Sequence, residues 1–273
     1  MIETCILDKA MPASFIISDL KKSIFAFESI DLTNIQQASL MDRIDTKFVF
    51  HQHNLATILN NIKSDYMCLE IDSQRIIDYE TLYYDTKNFD FYLNHHNQRR
   101  GRYKIRSRKY VNNDMSFFEI KYKNQKAQTS KTRIITTDTL TQIDQAASNL
   151  LRQRTPIDPQ TLLPQLWIYY QRMTLVKKDF SERVTLDLFL HTKSFDNQRY
   201  YSFSSLVVAE VKQGKFDSHS PFVQMMASHR VQQLSISKYC LSTAALYPNI
   251  KQNNFKKKQL RLNKIIYGFP FNA

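Results

Sequence analysis

The chain has 273 residues, 42% hydrophobic and 12% aromatic, with 38 Lys and Arg against 25 Asp and Glu. That is enough for a sizeable core, and the balance of +13 favours polyanionic partners: nucleic acid, polyphosphate, nucleotides or an anionic membrane surface. Three scattered cysteines (Cys5, Cys68, Cys240) and three glycines in all argue against a zinc site, a disulfide framework and a Gly-rich phosphate loop.

In chain order, residues 1–30 form a preamble with weak periodicity. Residues 31–41 read as a short helix with Asp31 or Thr33 near its N-cap, followed by a strand from Arg43 to Phe50 and an amphipathic helix from Leu55 to Ile62. Strand patterns then cover Tyr79–Asp85, Arg102–Tyr110, Ser116–Lys123 and Lys131–Thr136. Residues 138–153 are helical in pattern. Pro164–Val176, Glu182–Leu190 and Leu206–Gln213 read as strands, and 221–246 as a last helical region. One principal domain is expected over 31–248. The basic tail, 249–273, is expected to be disordered or loosely docked. No run approaches the ~18 apolar residues of a membrane span, and the start lacks a signal peptide's apolar stretch. A cytoplasmic protein is expected, and a membrane-protein partner is left open.

The pattern that carries chemistry is GRYKIRSRKY. Arg102, Lys104, Arg106 and Arg108 alternate, so on a strand they share one face, with Tyr103 and Ile105 on the other. Like charges at that spacing, roughly 6.5–7 Å, cost about 2–2.5 kcal/mol per pair at an effective dielectric near 20 and well under 1 in bulk water. Four further strands repeat the pattern: Glu119, Lys121 and Lys123; Arg183, Thr185 and Asp187; Val208, Glu210 and Lys212; Arg43, Asp45 and Lys47. Two architectures fit. One is an antiparallel sheet with a single solvated face. The other is a closed antiparallel barrel with a charged interior, flanked by helices.

Taken in order, RIDTKFVF, YETLYYDT, the FDFYLNHHNQRRGRYKIRSRKY stretch, FFEIKYK, KTRI, YYQRM, RVTLD and AEVK resemble the bacterial VTC domain. This is the polyphosphate polymerase domain of the triphosphate tunnel metalloenzyme (CYTH-like) superfamily. The resemblance implies an α+β fold: an antiparallel β-barrel tunnel with a basic interior, flanked by helices. It implies that ATP enters, that its terminal phosphate passes to a polyphosphate end, and that Mn²⁺ or Mg²⁺ assists. The matching phosphate ligands are Lys47, Arg102 or Lys104, Arg106, Lys121, Lys131, Arg172 and Arg183. Glu210 in AEVK matches the metal-binding glutamate, and Glu119 is a second candidate. Lys238 in SISKY matches one of two family lysines; Ser235 stands at the other. Arg43, Arg102, Arg108, Lys123, Arg133 and Lys212 are expected to contact substrate along the tunnel. A tunnel triphosphatase and a non-catalytic polyphosphate binder are the alternatives. RNA is disfavoured because the aromatic residues mainly alternate onto the opposite face, away from the cations.

Other polar groups read as structural. His51 and His53 are expected to be solvated at a strand end and His95-His96 to sit in a hairpin turn. Asp85-Thr86 should close a strand, Asp45 should pair with Arg43 or Lys47, and Trp167 should be core.

Overall fold

The structure, a computed structural model, describes residues 20–35, 44–126 and 128–268. Its strands are β1 (Glu28–Ile30), β2 (Ile44–His51), β3 (Tyr66–Leu69), β4 (Ile77–Thr86), β5 (Arg102–Tyr110), β6 (Met115–Lys123), β7 (Thr129–Thr136), β8 (Leu162–Lys177), β9 (Glu182–Ser194), β10 (Tyr200–Phe203) and β11 (Leu206–Gln213). Helices are α1 (residues 20–25), α2 (Leu55–Ile62), α3 (Asp90–His96), α4 (Gln145–Arg154), α5 (Pro221–Ser228), α6 (Lys238–Leu246) and α7 (Lys256–Tyr267). The class is α+β, as expected.

All strands join one sheet whose main path runs β2-β11-β9-β8-β4-β5-β6-β7, antiparallel throughout. β2 and β7 end this path and do not pair with each other, so the expected closed barrel is corrected to an open, curved sheet. Its period-2 alternation separates two faces. On the outer face, Phe48, Leu186, Ala209 and Val211 pack under α2 and α5, and Ile105, Phe118 and Ile120 pack under α4. In α2 the buried Leu55, Ile58, Leu59 and Ile62 fall at helical spacing. The inner face carries the alternating cations. Across it runs the extended stretch 229–237, which leads into α6.

Several expectations shift. The region 221–246 is two helices, because Arg230 takes a left-handed φ of 56° just past the end of α5. The helix expected over 138–153 begins only at Gln145, where Asp144 caps it by accepting from Ala147 N at 2.7 Å. His95 and His96 end α3 and do not form a hairpin turn; His96 is fully buried and its Nε2 accepts from Asn254 N at 3.1 Å. Asp85 is likewise buried. It does end β4, and its carboxylate accepts from Phe91 N and Tyr92 N at the start of α3 and from Tyr239 Oη. Within the described part of the tail, to Gly268, α7 docks with Leu262 only 3% exposed, so this part is not loose. The 31–41 helix falls mostly outside the described residues; within them, Asp31 accepts from Asn34 N at 2.7 Å, as an N-cap would.

Candidate functional site

Register places the predicted cations on one face. Lys104 lies opposite Lys121, and Lys121 opposite Lys131; Arg106 lies opposite Glu119, and Glu119 opposite Arg133. Arg172 lies opposite Asp187, Lys47 opposite Glu210, and Lys212 opposite Arg183. Residues directly opposite across strands share a face, so these positions form one charged trough from β2 to β7. Of the candidates, Arg43 alone lies outside the described residues.

Three carboxylates organise the trough, each between two cations. Glu210 takes Lys47 Nζ at 2.6 Å and Lys212 Nζ. Glu119 takes Arg106 Nε at 2.6 Å and Lys131 Nζ. Asp187 takes Arg172 through a fork, Nε at 2.6 Å and Nη2 at 2.9 Å, and also Lys238 Nζ. Burial alone would raise all three carboxyl groups. The paired cations outweigh it, holding Asp187 at about 2 and the other two further below the usual carboxylate range. Asp187 and Glu119 are each 1% exposed, whereas the Glu210 side chain is 20% exposed.

The cations between them are crowded. Lys104, Lys121 and Lys131 form a like-charged row across three strands. Enclosure in the trough and then the Lys104 ammonium push Lys121 down to about 8. Lys104 is lowered by burial, and its Nζ donates to Ser237 Oγ at 2.9 Å. Arg106 also donates to Tyr83 Oη at 3.0 Å. Burial would raise that phenol, but Arg106, Arg108 and Lys104 bring it down to about 8. Arg108 is buried against Thr81 Oγ1 at 3.2 Å and lies over the Tyr79 ring. Arg133 covers Phe117 at 4.3 Å.

The aromatic expectation is therefore corrected in part. Tyr79, Tyr83, Tyr170 and Phe117 stand on the charged face, where Tyr79 stacks on Tyr170 at 4.9 Å beneath Arg172. They are covered rings that support guanidinium groups rather than open platforms for bases. Asp45 reaches Lys212 at 3.4 Å, and the other expected partner, Arg43, lies outside the described residues. Trp167 is partly buried against the core cluster under α4. His51 Nδ1 accepts from His53 N, which caps a short turn.

At one end the trough opens into a cleft of about 370 Å³ lined by Arg99, Arg100, Arg102, Lys123 and Lys126 with neutral neighbours. The middle is roofed by the 229–240 segment. Leu234 N donates to Lys47 O at 2.8 Å on the free edge of β2, Ser237 reaches Lys104, and Lys238 reaches Asp187. The roof's Tyr239 stacks on Tyr83 at 5.0 Å.

Asp187, Tyr83 and Ser237 were not among the sequence candidates. Asp187 could have been singled out, since it alternates with Arg183. Ser237 and Tyr83 gain their roles only through contacts across the fold.

As for a metal, no group of three or more His, Cys, Asp or Glu stands together among the described residues. Magnesium-like ions commonly use one or two carboxylates together with substrate phosphates and water. Glu210 fits that use: it is the most exposed of the three carboxylates, and both its partners are ammoniums on flexible stems. Glu119 and Asp187 are sealed, each held by a guanidinium.

A family model described as the VTC domain matches residues 42–247. Among curated proteins, none matches the chain. The solved structures that resemble it weakly include two candidate cyclases. A candidate adenylyl cyclase from Hippeastrum with a dominant triphosphatase activity is 13% identical, with TM-score 0.46, covering 74% of this chain and 95% of that one. A candidate adenylate cyclase from Bacillus halodurans is 11% identical, with TM-score 0.43, covering 72% and 96%.

Proposed function

This chain belongs to the VTC domain family, and from that premise we propose that it is a metal-dependent polyphosphate polymerase. It would transfer the terminal phosphate of ATP to a growing polyphosphate chain lying in the trough. The observation that carries the reading is the set of three carboxylates, each flanked by two cations, along one face of an eight-strand path. Phosphoryl transfer asks a protein mainly for positioning and charge stabilisation, and this face is built for both.

The chemistry follows from how each cation is held. Arg106 and Arg172 are fixed by sealed carboxylates, so their remaining N–H donors are preorganised for phosphate oxygens. Lys47, Lys131 and Lys238 share the same carboxylates on flexible stems. They can swing onto an arriving phosphate chain, which offers them more negative charge than one carboxylate does. Lys104 and Lys121 sit in a repulsive row that an anion would relieve. Arg183, Lys212 and Arg133 line the flanks. Glu119 is assigned to holding Arg106 and Lys131 rather than to a metal. Mn²⁺ or Mg²⁺ held by Glu210 and phosphate oxygens would withdraw charge from the transferring group. The acceptor is a phosphate oxygen, so no protein nucleophile is required.

The test is purified protein with ATP and Mn²⁺, read by gel for long chains and by assay for orthophosphate. Long chains that vanish with chelator, and in Glu210→Ala and Arg106→Ala proteins of unchanged fold, are expected. Orthophosphate without chains would move the reading to a triphosphatase. Binding of polyphosphate with neither product would leave a binding protein.

A further inference from the structure

Residues 256–267 lie beyond the matched range 42–247, yet they are tied to the site. The crossing that carries Ser237 and Lys238 over the trough has a strand-like stretch at 232–235. One edge pairs with β2, through Leu234 N to Lys47 O at 2.8 Å and a bridge between Phe48 and Gln233. From α7, Arg261 donates Nη2 to Gln232 O at 2.9 Å and Nη1 to Gln233 O at 3.1 Å, and Lys258 Nζ donates to Ser235 O at 2.7 Å. Two side chains of one helix thus bond three backbone carbonyls of the crossing.

The helix is not there on its own merit. Its first turn holds Lys256, Lys257 and Lys258, where the helix dipole disfavours cations, and Phe255 provides no side-chain cap. Tertiary contacts hold it instead. Leu262 is buried with Leu234 and Tyr239 in one apolar cluster. Asn254 bonds His96 twice, and Tyr92 Oη donates to Lys251 O at 3.0 Å. Downstream of the crossing, Ser237 accepts from Cys240 N at the start of α6 and from Lys104. Lys238 is the next residue, so a shift of the crossing moves its ammonium off Asp187.

We propose that α7 is a strap that positions the roof: Arg261 and Lys258 fix the 232–237 crossing and so set Lys238 and Ser237 over the trough. They are positioning residues, and the functional part of the proposal rests on the phosphate-handling reading above. The experiment uses the full chain, with hydrogen exchange at 232–238 and calorimetric binding of tripolyphosphate. In Arg261→Ala, exchange at 232–238 rises, and binding weakens about tenfold, the scale of one charge-assisted hydrogen bond. Arg261→Lys, which keeps the charge but not the fork, recovers part of both. In a Lys238→Ala background the Arg261→Ala change adds less than about twofold, because its effect runs through Lys238. Unchanged exchange in both Arg261→Ala and Lys258→Met would overturn the strap. So would an undiminished Arg261→Ala loss in the Lys238→Ala background. Should Arg261→Ala not fold, Lys258→Met decides, since it keeps the apolar stem. If the unaltered protein binds no tripolyphosphate, the phosphate reading falls, and the exchange rates alone judge the strap.

Discussion

The middle of the trough and its open end use the same residue types in opposite ways. In the middle, Glu210, Glu119 and Asp187 each hold two cations at defined positions. At the end, Arg99, Arg100, Arg102, Lys123 and Lys126 line a cleft with no carboxylate among its walls. A cation held by a buried carboxylate is aimed, and removing its partner is costly. A cation on a wet rim contributes field, acts over a Debye length and is screened by salt. The middle should therefore govern geometry and chemistry, and the rim should govern capture.

The sharpest break of this comparison is Asp187→Ala. It strands Arg172 and Lys238 in a nearly sealed site, and breaking one side of a buried pair typically costs about 3–5 kcal/mol. A fall of that size in unfolding free energy is expected by urea melt, together with loss of tripolyphosphate binding. Arg102→Ala, at the rim, should leave the melt within about 0.5 kcal/mol. Equal losses at both ends would erase the distinction.

Next is Arg106→Ala. It removes donors to a bound phosphate and leaves Glu119 with Lys131 alone. Hydrogen bonds to charged groups are worth about 1.5–3 kcal/mol, so tripolyphosphate affinity should fall roughly 10- to 100-fold. Calorimetry at constant salt checks it; a twofold change would mean that Arg106 only supports the wall.

These two residues also mark how far the sequence could be read. Alternation on β5, β6, β9 and β11 placed the cations on one face, because strand periodicity is local. Arg106 was legible for that reason. The contact of Lys238 with Asp187 was not: the two are 51 residues apart, and what joins them is the path of the roof over the sheet. Whether the sheet closes was equally out of reach, since strand order is a long-range property. The tail misled for a physical reason. KKK opening a helix is unfavourable in isolation, and it is tertiary contacts, among them buried Leu262, the Asn254–His96 bonds and the Arg261 fork, that hold it there. Aromatics also misled, because those that alternate with the cations on β5 and β6 are not those that face them from β4 and β8.

A pH titration sharpens the comparison further. Lys121 is held at about 8, below its usual 10.5, and Tyr83 at about 8, below 10.0. For Lys121, the folded value lies below the unfolded one. Between about pH 8 and 10.5 the unfolded chain binds the extra proton, so this group adds stability as pH rises through that window. Tyr83 has the same sign: between about pH 8 and 10 the unfolded chain keeps a proton that the folded one has lost. Its contribution therefore also grows as pH rises and is lost as pH falls back through about 8. Binding of an anion runs the other way for both, since above pH 8 the trough loses an ammonium and gains a phenolate. Tripolyphosphate affinity should thus decline from about pH 8 upward. Lys121→Arg should remove one component and Tyr83→Phe the other. A decline unchanged in both variants would assign the titration elsewhere.

The smallest effect belongs to the rim and shows best in salt dependence. Arg99 and Arg100 have no carboxylate beside them in the cleft, so their charge acts on a polyphosphate chain mainly by displacing its counterions. Taking one arginine off the phosphates should lower the slope of log affinity against log salt by about 0.7–0.9, if the chain behaves like a nucleic-acid backbone. For Arg99→Ala/Arg100→Ala that means a slope shallower by up to about 1.8, with little change in the melt. The length of the ligand adds a control. Tripolyphosphate is short enough to be held by the middle alone, so its slope should move less than that of a long chain. If both ligands lose the same slope, the cleft is part of the central site, and the division between aimed and diffuse cations does not hold.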